Sequence, residues 1–119
     1  MAWSVLVVDD DEAFRQLATR TLRSWGYAVV GEAGSVAEAM ESVAALGPDA
    51  ALVDIGLPDG DGFELAQRLA GLPSPPRVVL ISSDSDAANE TVARRMGAAG
   101  FVPKDELLGP SLRRLIGGG

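Results

Sequence analysis

The chain of 119 residues contains neither cysteine nor histidine. Without cysteine there are no disulfides, thiolate zinc sites or thiol nucleophiles, and without imidazole there is no Ser-His-Asp triad. Any metal ion bound here must be held by oxygen. Lysine is nearly absent too: the ten basic residues are all Arg except Lys104. No run of consecutive apolar residues exceeds four, which excludes a bilayer span, and the N-terminus lacks the basic and apolar regions of a secretory signal. The expectation is a soluble, cytoplasmic chain with no membrane association. Seventeen acidic residues against ten basic ones give a formal net charge of -7. Such a surface repels phosphate backbones, so direct nucleic acid binding is not expected. What is present is ordinary: 47% apolar and 23% charged residues, with no internal repeat. Those values describe one globular domain over residues 1–119.

Five apolar runs reach four residues, at 5–8, 27–30, 43–46, 50–53 and 78–81. All but the third are rich in β-branched residues or bounded by Gly, Pro or Asp, and are expected to be buried parallel strands. The third belongs to a helix. Val36, Ala39, Met40, Val43 and Ala44 recur at helical spacing, Ser35 and Glu38 form a capping box, and Gly47-Pro48 stops the run. A first helix carries Phe14, Leu17, Ala18, Thr21, Leu22 and Trp25 on one face and ends at Gly26. A third carries Leu65, Leu69 and Leu72 ahead of a Pro-rich loop at 73–76. A fourth, about 87–96, has a thin stripe in Val92, Ala93 and Met96. Residues 100–102 read as a short fifth strand, and 111–116 as a last helix with Leu112, Leu115 and Ile116 facing inward. Five strands alternating with five helices predict an α/β fold: a doubly wound five-stranded parallel sheet sandwiched by the helices. In that architecture the functional crevice lies beyond the carboxyl ends of the strands.

The sequence places chemistry at those ends. Asp9, Asp10, Asp11 and Glu12 follow the first strand, Asp54 ends the third, Ser82 and Ser83 end the fourth, and Pro103 and Lys104 follow the fifth. Carboxylates brought within a few ångströms repel unless a cation joins them, and hard oxygen ligands suit Mg²⁺. A hydroxyl and an ammonium opposite them leave a pocket for a tetrahedral dianion such as a phosphoryl group. Each residue alone has a plainer reading: Asp forms turns and caps, Ser82 could cap the next helix, and a lone Lys is usually solvated. The combination at four strand ends carries the weight.

These residues resemble the receiver domain of two-component response regulators, over essentially the whole chain. The matching motifs are Val7-Val8-Asp9-Asp10, Asp54-Ile55-Gly56-Leu57-Pro58-Asp59-Gly60-Asp61-Gly62, Leu80-Ile81-Ser82-Ser83 and Phe101-Val102-Pro103-Lys104. The resemblance implies a flavodoxin-like fold in which Asp54 accepts a phosphoryl group. Asp10, Asp54 and the Gly56 carbonyl would bind Mg²⁺, Asp9 would act through a metal-bound water, and Ser82 and Lys104 would grip the phosphoryl oxygens. The donor would be a phosphohistidine on a sensor histidine kinase or phosphotransfer protein; lacking histidine, this chain receives. Phosphorylation would draw Ser82 inward and let Phe101, which stands where Tyr is commoner, turn and re-form the face of helix 4, strand 5 and helix 5. That face carries Arg94, Arg95, Arg113 and Arg114, suited to an acidic partner or to salt bridges across a homodimer. The chain departs from many receivers in having Pro103 before Lys104 rather than after it, so a trans peptide from Lys104 to Asp105 is expected. Gly56 and Asp84 occupy positions that tune phosphoryl lifetime in the family. The protein would work alone or as the receiver portion of a longer regulator.

Three other readings compete. Asp9-x-Asp11 with Ser82 and Lys104 superficially resembles haloacid-dehalogenase-type phosphatases, with Asp9 as nucleophile. Against it, Ala13 stands where that motif has Thr or Val, and the downstream acidic pair is missing. A receiver used only for docking, independent of phosphorylation, would not need the complete acceptor set. A flavodoxin-like cofactor carrier would need a phosphate loop where Asp9-Asp10-Asp11-Glu12 stands.

Overall fold

The β-branched runs form the centre of the molecule. The computed structural model describes residues 3–83, 90–106 and 109–117. Strands β1 (Ser4–Val8), β2 (Ala28–Ala33), β3 (Ala50–Asp54), β4 (Arg77–Ser82) and β5 (Gly100–Pro103) form one sheet in the order β2-β1-β3-β4-β5. Every pairing is parallel. Helices α1 (Glu12–Ser24), α2 (Val36–Leu46), α3 (Gly62–Ala70) and α4 (Glu90–Arg95) fill the four crossovers, and α5 (Pro110–Ile116) follows β5. Residues 84–89 lie outside the described residues, and with them the first part of the expected fourth helix and Asp84.

Strand alternation divides the apolar residues between two cores. Leu6, Val8, Val53 and Leu80 pack with Val36, Ala39, Leu65, Leu69 and Ala93, which places α2, α3 and α4 on one face. Val5, Val7, Leu52 and Ile81 pack with Ala18, Leu22, Leu112 and Ile116, which places α1 and α5 on the other. The central strand β3 is buried along its whole length because both its edges and both its faces are covered.

The second strand departs from the expectation of a buried run at 27–30. It starts at Ala28 and lies at the sheet edge, where among the described residues one side has no partner strand. Its register slips between Val5–Val29 and Leu6–Gly31, so Val30 bulges out and is 39% exposed. A bulge increases local twist and blunts an edge against pairing with other chains. Tyr27 instead donates its hydroxyl to the Gly117 carbonyl at 2.8 Å, tying the end of α5 to the start of β2.

The helices follow their local signals with a few rotations. Asp11 caps α1, accepting from the backbone N–H groups of Ala13 and Phe14. The buried arc of α1 reaches Thr19, whereas Leu17, expected to face inward, lies on the flank and is 42% exposed. Ser35 caps α2 by accepting from the Glu38 N–H, and Gly47 ends it in the left-handed region at φ 54. Ala44, expected on the inner face, is exposed. Helix α3 ends at Ala70, so Leu72 packs half-buried on the core from the turn beyond it. In α5, Leu112 and Ile116 are fully buried and Leu115 is half-buried against them. Between β3 and α3 the chain makes a two-residue antiparallel ladder, Gly56–Leu57 with Gly60–Asp61. The peptide from Lys104 to Asp105 is trans, as expected, and opens a 3-10 turn at Lys104–Glu106. Among the described residues no helix is long and apolar enough to cross a membrane.

Candidate functional site

The acidic run after β1 divides into three different jobs. Asp9 continues the strand, its N–H donating to the Ala33 carbonyl at 2.9 Å, and its side chain is fully buried. Its Oδ1 accepts from the Asp11 N–H at 2.9 Å, while its backbone carbonyl accepts from Arg15 Nη1 at 2.6 Å. Asp10 is exposed at the mouth of the crevice. Asp11 is the helix cap, so for this residue the plainer reading holds.

Asp54 is the last residue of β3 and is 7% exposed. Oxygens of Asp9, Asp10 and Asp54 all lie within 4.8 Å of one another, an acidic cluster able to hold a metal ion. Lys104 Nζ stands 2.7 Å from Asp9 Oδ2 and 3.5 Å from Asp54 Oδ2. The contact to Asp9 is a close ion pair that takes up the buried Oδ2. Burial pushes the Asp54 carboxyl above its ordinary pKa, and repulsion from Asp9 adds to the rise. The charge of Lys104, the Gly56 N–H and the Lys104 hydrogen bond oppose it. For Lys104, burial works to lower the pKa, but contact with Asp9 and the charges of Asp54 and Asp9 outweigh it and hold the ammonium above its usual range. One cation among three carboxylates leaves a surplus of negative charge at the site.

Of the remaining predicted residues, Ser82 and Gly56 reach the same place, and Phe101 and the four arginines do not. Ser82, the last residue of β4, is buried, and with Ser83, Asp10, Asp54, Gly56 and Lys104 it lines one open cleft. Asp9 is fully buried and ion-paired with Lys104, so the geometry favours Asp54 over Asp9 as the nucleophile. Phe101 is half-buried against the core shared with α2 and α3. Arg94 and Arg95 are exposed in the last turn of α4, and Arg113 and Arg114 are exposed on α5. The Arg113 guanidinium lies 5.9 Å from the Trp25 ring, so it is turned towards the end of α1.

Several residues shape the site in ways that the motifs alone do not assign: Phe14 and Arg15 lie outside them, and Asp59 and Gly62 lie within one without a stated role. The Phe14 ring lies under the Lys104 ammonium, 4.4 Å from its centroid. Arg15 braces the Asp9 carbonyl and pairs with Glu32 at 3.1 Å. Asp59, at the tip of the small ladder, caps α2 across the chain, accepting from the Val36 and Ala37 N–H groups at 2.7 and 3.1 Å. Those two bonds hold its carboxyl below the ordinary range. Gly62 is needed for space: a Cβ there would stand 2.5 Å from the Asp54 carbonyl oxygen and 2.7 Å from Ile55 Cα. A side-chain-free residue lets α3 start directly against the end of β3.

A parallel sheet of this order, with carboxylates after β1 and β3 and a lysine after β5, is the architecture of a phosphoacceptor signalling domain. The chain belongs to the response regulator receiver domain family, whose sequence model matches residues 5–110. It is 43% identical over 114 residues to the DNA-binding transcriptional activator DevR/DosR of Mycobacterium tuberculosis, covering 94% of this chain and 52% of that protein. It is 36% identical over 116 residues to protein-glutamate methylesterase/protein-glutamine glutaminase 5 of Myxococcus xanthus, covering 96% of this chain and 33% of that protein. The signal receiver domain of NarL from Mycobacterium tuberculosis superposes with a TM-score of 0.85 at 37% identity, covering 98% of each chain. The chain therefore spans about half the length, or less, of the curated relatives it matches. The fold is flavodoxin-like, and the domain is a phosphoacceptor of two-component signalling.

Proposed function

We propose that Asp54 is the residue that takes the phosphoryl group, and that residues 1–119 act as one receiver unit in the cytoplasm. One observation carries this reading: Asp54 is a nearly buried carboxylate at a strand end, flanked by two further carboxylates and 3.5 Å from the single lysine, with its oxygens at an open cleft. Burial strips water from the carboxylate and raises its basicity, which favours nucleophilic attack. An Asp54 oxygen forms the bond to phosphorus as the bond from phosphorus to the donor's imidazole nitrogen breaks, and the imidazole leaves with the electron pair. The donor class is a phosphohistidine on a sensor histidine kinase or phosphotransfer protein.

The donor set fits Mg²⁺: the ligands are hard oxygens brought within 4.8 Å of one another, and the cluster carries surplus negative charge. Asp10, Asp54 and the Gly56 carbonyl would hold the ion, with Asp9 acting through a water. When bound, Mg²⁺ supplies positive charge that offsets repulsion between the attacking carboxylate and the phosphoryl oxygens. Lys104 contributes charge from the opposite side, and Ser82 offers a hydroxyl to the product's tetrahedral oxygens. The new dianion draws Ser82 towards it and gives Phe101 room to rotate, altering the surface of α4, β5 and α5. Arg94, Arg95 and Arg114 on that surface would meet an acidic partner or a second copy of the chain, whereas Arg113 is turned to the Trp25 ring and is no longer assigned to it.

Incubation with acetyl phosphate and Mg²⁺, read by intact mass and gel filtration, tests this. The wild type should gain one phosphoryl group and Asp54→Asn none. Undiminished labelling of Asp54→Asn would move the acceptor elsewhere.

A further inference from the structure

The motif spacing accounts for Lys104 but not for what keeps its ammonium over the carboxylates. A lysine side chain has four rotatable carbons and carries large rotamer entropy, and a side chain at the rim of a cleft is free to swing into water. Lys104 is 20% exposed. On one side its Nζ meets Asp9 Oδ2 at 2.7 Å and Asp54 Oδ2 at 3.5 Å. On another it meets the Phe14 ring, 4.4 Å from the centroid, well inside the range in which the negative face of an aromatic ring attracts a cation. Phe14 is itself placed firmly: it lies in the first turn of α1, its N–H is received by the Asp11 cap, and its half-buried ring packs on the core beneath the sheet. The ring is thus a fixed platform, and the flexible partner is the lysine.

We propose that Phe14 is a positioning residue for phosphoryl transfer, acting through its aromatic face to hold the Lys104 ammonium over the acceptor pocket. The inference rests on Asp54 as acceptor, because its kinetic consequence is a change in the rate at which Asp54 is labelled. A cation over a ring at a partly exposed site is worth enough to change the population of the positioned ammonium about two- to fivefold. The labelling rate with acetyl phosphate should fall by the same factor in Phe14→Leu, which keeps an apolar side chain but removes the ring. Phe14→Tyr, which restores a ring of similar face, should recover the wild-type rate.

The single lysine makes a direct test simple. Lysine labelled with ¹³C at Cε should give one side-chain signal from the whole chain, shifted upfield by the Phe14 ring current. That shift should vanish in Phe14→Leu and persist in Phe14→Tyr. A double-mutant cycle then separates positioning from mere packing: in a Lys104→Met background, Phe14→Leu should cause no further loss of rate. An unshifted lysine signal in the wild type, an unchanged rate in Phe14→Leu, or the same fold loss with and without Lys104 would each overturn the proposal. A wild type that takes no label at all would instead overturn the assignment of Asp54, and the rate effect with it, whereas a labelled wild type with an indifferent Phe14 overturns only the role of the ring.

Discussion

Replacing Asp54 by Asn should stabilise the protein in metal-free buffer, although it removes the group on which the proposed chemistry depends. The carboxylate stands within 4.8 Å of oxygens of Asp9 and Asp10, and at an effective dielectric of about 20 each repulsion amounts to roughly 3.5 kcal/mol. Asp10 is exposed and better screened, so its share is smaller. Attraction to Lys104 at 3.5 Å returns about 5 kcal/mol on the same scale. The balance, with the desolvation cost of a nearly buried charge, is a net relief of about 1–2 kcal/mol in the variant. For a domain of this size that corresponds to a rise in melting temperature of about 5 °C. The sign of the pH dependence follows from the raised folded-state pKa of Asp54. Its charging disfavours the folded state at neutral pH, and that penalty is relieved as the pH falls through the raised folded value towards the ordinary 3.8. The variant's advantage should therefore be full at neutral pH and close in acid. Thermal melting by circular dichroism in EDTA, repeated with millimolar Mg²⁺, measures both parts. Magnesium should raise the wild type and narrow the gap. An Asp54→Asn chain that melts at or below the wild type in EDTA at neutral pH would refute the electrostatic reasoning.

Asp59→Ala should lower the melting temperature by uncapping α2. Because the folded pKa of Asp59 is depressed, its contribution is complete above the ordinary carboxylate value and is lost as pH falls below 3.8, so the two proteins should converge in acid. Gly62→Ala forces a methyl group against the backbone of Asp54 and Ile55 and should cost about 1–3 kcal/mol in urea denaturation while disturbing the end of β3; an unchanged midpoint would show that α3 can shift freely.

The fold was legible because each local signal agreed with the others. Runs of four apolar residues, Ser35 ahead of a helix and Gly26 and Gly47 behind helices mark elements whose order alone leads to a doubly wound sheet. Where the expectation slipped, the cause was position in the sheet rather than local composition. Val29 and Val30 look like core residues, yet their strand lies at an edge and bulges; Leu17 fits the helical period, yet the neighbours of α1 rotate its buried arc towards Thr19.

The candidate site divides in the same way. Asp9, Asp10, Asp54, Ser82 and Lys104 could be placed together from the sequence, since the end of a parallel strand is a predictable location once the strand is recognised. The separate roles of the acidic run could not be. Burial of Asp9, exposure of Asp10 and capping by Asp11 depend on the turn geometry after β1 and on Arg15. Nor could the ring beneath Lys104, 90 positions earlier in the chain, or the reach of Asp59 to the start of α2. Composition and periodicity act locally and determine which elements form and which face of each is apolar. Contacts between side chains on different elements depend on packing angles and register, and only the folded chain sets those distances.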